Sequence, residues 1–308
     1  MSPPVQEARV AELTPHHPFR TARDRERYLA ALALRDQRWP VPSEARMVDT
    51  SWARTFVRIS GPAAAPPLVL LHGMATNSST WEPNVAAWST AFRTYAVDNP
   101  YDIGRSVYLR DVHGVDDYTS WLDELFTALG LGDKISLAGM SYGGWLTSRY
   151  ALRFPDRLAK AVLLVPALTV QPVRWIWVAR CLLSTVHRSL SRNFAHWTLR
   201  DAIHKNAYCR QWVDDVSSDG FACAHILLPR KYVLPKQLTD REWRSLRAPM
   251  LVLVGEHEKH YSPTKAVRRL KRVAPQVRIE MIGGAGHDLT LVQADVVNQK
   301  VLEFLRGG

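Results

Sequence analysis

Short apolar or β-branched runs recur along the chain, with amphipathic stretches between them. RTFVRI (54–59), PLVLLH (67–72), RTYAVD (93–98), KISLAG (134–139), KAVLLV (160–165), PMLVLVG (249–255) and VRIEMI (277–282) predict strands. Several are apolar at consecutive positions, the pattern of parallel strands covered on both faces. Residues 117–130, 142–154, 264–273 and 290–305 have helical periodicity. Strand and helix in alternation mean a mostly parallel α/β sheet flanked by helices.

Two segments fall outside that alternation. Residues 22–38, ARDRERYLAALALRDQR, predict an amphipathic helix that Trp39-Pro40 ends. Residues 171–248 are the longest strand-poor interval and hold five tryptophans (Trp175, Trp177, Trp197, Trp212, Trp243) and all three cysteines. They predict a mainly helical insertion. The expected organisation is a helical extension over 1–48, an α/β core over 49–170 and 249–308, and the insertion over 171–248.

Composition changes this picture in three ways. An apolar content of 46% with eleven tryptophans supports a sizeable buried core in 308 residues. The formal charge is +11, and residues 171–249 carry +7 of it, 13 basic against 6 acidic side chains. Such a basic segment suits an anionic substrate, an acidic carrier or a membrane surface, or else simply decorates a solvated face. The first twenty residues lack an apolar signal region, and AVLLVPALTVQPVRWIWVARCLL is broken by Pro166, Pro172 and two arginines. No integral membrane association is expected. Cys181, Cys209 and Cys223 are odd in number and lack CxxC spacing, which predicts free thiols and a cytoplasmic protein. Nothing in the chain bears on oligomeric state.

The chemistry concentrates in LAGMSYGGW (137–145), where Gly139, Met140, Ser141, Tyr142 and Gly143 spell G-x-S-x-G between a strand and a helix. There a serine sits on a sharp strand-to-helix turn, and the flanking glycines lack Cβ atoms that would crowd it. The helix N-terminus beneath favours developing negative charge. A serine hydroxyl needs an adjacent base. His287, in the glycine-rich loop GGAGHDL after the last predicted strand, is the candidate. The base in turn needs a carboxylate to hold its tautomer. Glu256 and Glu258, in GEHEKHYSP after the preceding strand, both qualify. An oxyanion hole would take the Tyr142 amide and, from LLHGMAT, the Met74 amide.

Together these residues resemble the α/β-hydrolase fold superfamily, over about residues 45–308. The order His72-Gly73, Ser141, acid, His287 is the one characteristic of that fold. AVDNPYDIGRS and YALRFPDRLAKAVLLVPA are similar to its usual segments. The resemblance implies that 171–248 is a helical cap inserted after the sixth strand. It also implies an acid at the fourth position of G-x-x-D, which counted from Gly255 is Glu258. Tyr101 departs from the glycine that relatives commonly carry there, and is expected at the pocket edge.

His257 and His260 are three apart after a strand, unlike the helical H-E-x-x-H zinc signature, so no metal is expected. The cysteines lack zinc spacing. No G-x-G-x-x-G follows a strand and no Walker motif is present, so no nucleotide cofactor is expected. The cap tryptophans suit packing and a pocket roof better than nucleic-acid stacking. A serine nucleophile means acyl transfer, so the expected enzyme is a cofactor-independent serine hydrolase of a carboxylic ester, lactone or thioester. Its partner is a small acyl substrate, anionic or carrier-linked if the basic cap takes part. A biosynthetic acyltransferase, thioesterase or cyclase with the same triad is the alternative, and a non-catalytic ligand receptor a third.

Overall fold

The computed structural model describes residues 15–228 and 233–307. The first fourteen residues of the expected extension therefore lie outside the described residues. Helix α1 spans Ala22–Asp36, and Thr21 caps it by accepting the Asp24 N–H. Strands β1 (Ser43–Asp49), β2 (Ala53–Ser60), β3 (Pro67–Leu71), β4 (Arg93–Val97), β5 (Val107–Tyr108), β6 (Ile135–Met140), β7 (Leu158–Leu164), β8 (Met250–Gly255) and β9 (Arg278–Ile282) form one sheet. Its order is β1-β2-β4-β3-β6-β7-β8-β9, with β5 paired to β2. β1 and β2 run antiparallel to their neighbours, and the pairs from β4 to β9 are parallel.

Helices cover both faces. On one, Val69, Leu71, Leu137, Leu163, Val252 and Val254 pack with α3 (Val115–Ala128), α4 (Tyr142–Arg153) and α10 (Pro263–Val273). On the other, Leu68, Leu70, Ala138, Val162, Leu164, Leu251 and Leu253 meet α2 (Glu82–Trp88), the short α11 (Leu289–Val292) and α12 (Ala294–Arg306). Successive residues of β8 thus alternate between two buried faces, which is why its sequence is apolar without alternation.

The insertion follows β7, the sixth strand once the two-residue β5 is set aside. Its helices are α5 (Trp175–Ser184), α6 (Arg188–Thr198), α7 (Arg200–Lys205), α8 (Ala207–His225) and α9 (Asp240–Ser245). No helix among the described residues is long and apolar enough to cross a membrane.

One departure has a physical reason. Residues 43–48, read from the sequence as the end of a helical extension over 1–48, form with Asp49 a strand that pairs with β2 along its whole length. β1 lies at the sheet edge with five exposed leading residues, so it needs no apolar pattern. Helix α1 packs on the insertion. Arg35 donates to Asp219 at 2.6 Å and Arg38 to Asp215 at 2.8 Å, both on α8. Tyr28, Leu32 and Phe19 form a small core with Ile103 and Leu227. Asn77 donates to the Tyr28 hydroxyl at 2.9 Å. Burial pushes the Asp219 carboxyl up to about 6, against the opposing charge of Arg35.

Candidate active site

β6 ends at Met140 and α4 begins at Tyr142, so Ser141 alone makes the turn, at φ 53° and ψ −112°. Positive φ is costly for a residue with a Cβ and persists only where the surroundings impose it. Here they do: the Ser141 N–H donates to Leu164 at 2.9 Å, and its carbonyl accepts from Trp145 at 3.1 Å and Ala167 at 3.2 Å. The glycines of the motif permit the approach. A Cβ on Gly139 would lie 2.1 Å from the Gly143 carbonyl oxygen, and one on Gly143 would lie 2.1 Å from that of Leu71. Both obstacles are backbone. We expect Gly143→Ala to destabilise the protein by more than about 3 kcal/mol and to lower the thermal midpoint by roughly 5–10 °C. Calorimetry checks this; a midpoint within a degree of the native chain would contradict the packing described.

The loop after β3 abuts the nucleophile, since a Cβ on Gly73 would stand 3.4 Å from that of Ser141. His72 holds this loop. Its Nε2 accepts the Asn99 N–H at 2.9 Å, so Nδ1 carries the proton and donates to the Gly73 carbonyl at 2.7 Å. Asp102 accepts the Ala75 N–H at 2.9 Å, and Ala75 is itself at φ 58°. The turn that carries Met74 is therefore doubly braced next to Ser141, and Tyr142 opens α4. The Met74 side chain is exposed.

The loops after β8 and β9 are locked together. A Cβ on Gly255 would lie 2.2 Å from the Gly286 carbonyl oxygen, and the Glu256 and His257 amides donate to Ile282 and Ala285, each at 2.9 Å. Thr290, three residues past His287, donates to the Met140 sulfur at 3.4 Å, bringing this loop to the residue before Ser141. Asp288 accepts the Gly286 N–H at 3.0 Å and the Ala202 N–H of α7 at 2.8 Å.

Of the two candidate acids, Glu258 is the one that meets His287. Its Oε2 lies 2.8 Å from His287 Nδ1, and both side chains are buried. A carboxylate only accepts, so Nδ1 carries the proton and Nε2 is left to act as a base. Burial by itself would raise the Glu258 pKa, but the His287 and His260 imidazoles, as partner charges and donors, hold it well below the usual carboxylate range. Glu256 is exposed and accepts the Gly284 N–H at 2.9 Å.

The sequence reading assigned His260 no role, yet it shares the acid. His260 Nδ1 donates to Glu258 Oε1 at 2.8 Å, and that oxygen also accepts the Lys259 and His260 amides at 2.7 and 2.9 Å. The His260 and His287 rings stack with centroids 3.8 Å apart. Burial first, and the His287 charge second, push the His260 pKa down to about 4. No spacing rule marks a histidine two residues past an acid as folding back onto it.

Glu258, His260 and His287 bring ligand-type atoms within 4.8 Å of one another, the one such group among the described residues. Each imidazole Nδ1, however, already donates to its own Glu258 oxygen, which is the donor arrangement of a hydrogen-bonded relay. His257, weighed with His260 as a metal pair, is exposed and bonds Asp201 at 3.0 Å. Tyr101, expected at the pocket edge, is instead buried among Tyr108, Tyr118 and Trp121, with its hydroxyl donating to Arg110 at 3.1 Å. A large aromatic finds room there because its ring packs into the core against Tyr118 and Trp121 of α3 and Tyr108 of β5.

Residues 68–300 match the model of the alpha/beta hydrolase family. Carboxylesterase YbfK of Bacillus subtilis is 35% identical over 280 residues, spanning 88% of this chain and 90% of that protein. The carboxylesterase nap of the same organism is 37% identical over 270 residues, 86% of this chain and 88% of nap. The crystal structure of naproxen esterase from B. subtilis superposes with a TM-score of 0.84 at 33% identity, over 92% of this chain and 99% of that one. The structure of carboxylesterase CesB (YbfK) gives 0.83 at 32% identity, over 93% and 100%. This chain belongs to the alpha/beta hydrolase family and is a carboxylesterase-like hydrolase.

Proposed function

We propose that Ser141 attacks the ester carbonyl, with His287 Nε2 taking its proton and Glu258 stabilising the imidazolium. The Met74 and Tyr142 amides receive the developing oxyanion. His287 then protonates the leaving alcohol, and a water deprotonated by His287 attacks the acyl-enzyme to release the acid and free Ser141. The observation that carries this reading is the buried 2.8 Å bond between Glu258 and His287 on the loop that reaches the Ser141 turn. No step calls for a metal or an organic cofactor. Cys181, Cys209 and Cys223 form no disulfide among the described residues, which suits a reducing, cytoplasmic setting.

The test is pre-steady-state hydrolysis of p-nitrophenyl esters of rising acyl length, with mass mapping of a fluorophosphonate adduct. A burst approaching one equivalent, where deacylation limits turnover, and an adduct on Ser141 are expected. Retained hydrolysis with the adduct on another residue would overturn the assignment.

An anionic or carrier-linked acyl substrate is the second reading. It is supported by a groove of about 770 Å³ on the acid's side of the site, lined by Arg174, Arg200, Lys259 and Lys265 together with Asp201, Glu256 and Glu258, though not by Ser141 or His287. On this reading, raising salt from about 0.02 to 0.5 M cuts kcat/KM for an acidic ester several-fold and leaves a neutral ester unaffected. Equal responses of the two esters would remove it.

A further inference from the structure

Glu258 serves two imidazoles, and only one is accounted for by acyl transfer. His260 is 3% exposed, and its ring lies between the His287 ring, at 3.8 Å, and the Trp177 ring of α5, at 4.3 Å. Its backbone is tied to the same part of the cap, because the Arg174 N–H donates to the His260 carbonyl at 2.6 Å. The column Trp177–His260–His287 therefore runs unbroken from the first cap helix to the residue proposed as the general base.

We propose that His260 is a positioning residue of the triad, resting on the assignment of Glu258 and His287 above. It has two separable parts, one for each side of its ring.

The first part is its donor. Oε1 of Glu258 accepts three N–H groups, from Lys259, His260 and the His260 ring, whereas Oε2 faces His287. Three donors on one oxygen fix the carboxylate plane and aim Oε2. They also share out its negative charge, which moderates how strongly the carboxylate stabilises the His287 imidazolium.

The second part is its face. A ring stacked on His287 at 3.8 Å, inclined by 30°, opposes rotation of that imidazole, which would exchange Nδ1 and Nε2 and carry the base away from Ser141. The stack also passes the position of Trp177 on to the base.

A neutral ring is required for this work, since a second cation at 3.8 Å would oppose protonation of His287. Burial keeps His260 neutral. The charged groups that act on it are His287, on the loop after β9, and Glu258 on its own loop, where Lys259 and Tyr261 are its neighbours in the chain. From the cap it meets Trp177 and the Arg174 backbone.

Two variants divide the parts. His260→Phe keeps a ring and removes the donor. Glu258 then keeps more charge for His287, so the acidic limb of kcat/KM against pH moves up by about 0.5–1 unit. Its plateau stays within roughly threefold of the native value. His260→Asn places an amide donor where Nδ1 stood and removes the stack. Its limb stays in place, while kcat falls on the order of tenfold with KM changed less than about twofold.

Should the Phe ring not be accommodated, His260→Leu also lacks the donor and carries the same limb shift. Native profiles in both variants would overturn the proposal. So would equal losses of activity without a limb shift, tracking a lower thermal midpoint, which mark His260 as packing alone. Fluorophosphonate labelling of native Ser141 separates the two levels: an unlabelled Ser141 defeats the triad itself, whereas a labelled one with unresponsive His260 variants defeats only this inference.

Discussion

Ser141→Ala is expected to lose on the order of 10⁵- to 10⁶-fold in kcat and all labelling by a fluorophosphonate, with the fold intact. The size follows from what the hydroxyl does. Without it there is no acyl-enzyme, and hydrolysis falls back on direct attack by water, aided only by the oxyanion donors and binding, a residue of about 10³- to 10⁴-fold over solution. The fold survives because the bonds that hold the turn come from the Ser141 backbone N–H and carbonyl, not from Oγ. Alanine has the same Cβ at φ 53° and meets the same backbone strain, so the thermal midpoint should match or slightly exceed the native value. Ester hydrolysis assays and calorimetry on one preparation check both halves. Activity within tenfold of native would place the nucleophile elsewhere.

Glu258→Gln should lower kcat by roughly 10³- to 10⁴-fold, and Glu256→Gln by less than about twofold. The first loss comes from a forced tautomer. The Oε1 position receives three N–H donors, so a glutamine must place its carbonyl oxygen there. Its NH₂ then occupies the Oε2 position, 2.8 Å from His287 Nδ1, and donates to it. His287 is left with its proton on Nε2, the atom that must accept from Ser141. The base is present and correctly placed but holds its proton on the wrong nitrogen. Glu256 is exposed; it accepts the Gly284 N–H and lies 3.8 Å from His257 Nε2, and among the described residues neither contact reaches His287, so its amide leaves the site unchanged. Steady-state kinetics of the pair decides the matter. A larger loss from Glu256→Gln would exchange the two roles.

How far the site could be read without coordinates depended on the range of each interaction. Ser141 was legible because a strained turn leaves a local trace, glycines on both sides of one residue between a strand and a helix. The Gly139 and Gly143 contacts at 2.1 Å show why those glycines are there. His287 was legible from its glycine-rich loop after the final strand. Glu258 was separated from Glu256 only by counting from Gly255 along a family pattern. The structure supplies the reason for the difference, since one side chain turns inward beneath His287 and the other stays in solvent.

Residues whose roles depend on distant partners were not legible. Helix α1 has an ordinary amphipathic pattern, and nothing in it names Asp219 or Asp215, about 180 positions away, as partners for its arginines. β1 lacks any apolar alternation because an edge strand with a solvent-facing side needs none. Tyr101 was expected beside the pocket because it stands where members of the resembled family commonly carry glycine. Its ring direction, set by packing against Tyr118 and Trp121, takes it into the core instead.

β1 and β5 excepted, the sequence by itself determined the fold class, the order of the other seven strands and their helices, the basic insertion and the local chemistry of each loop. All of these rest on periodicity and on residues within a few positions of one another. Only the tertiary structure showed why Glu258 rather than Glu256 meets the histidine, and that a second histidine joins them. The reason is that four loops, after β3, β6, β8 and β9, converge at one end of a parallel sheet. Their side chains compete there for the same oxygens and faces, and a carboxylate with two lone pairs on each oxygen can satisfy more partners than any spacing in the chain records.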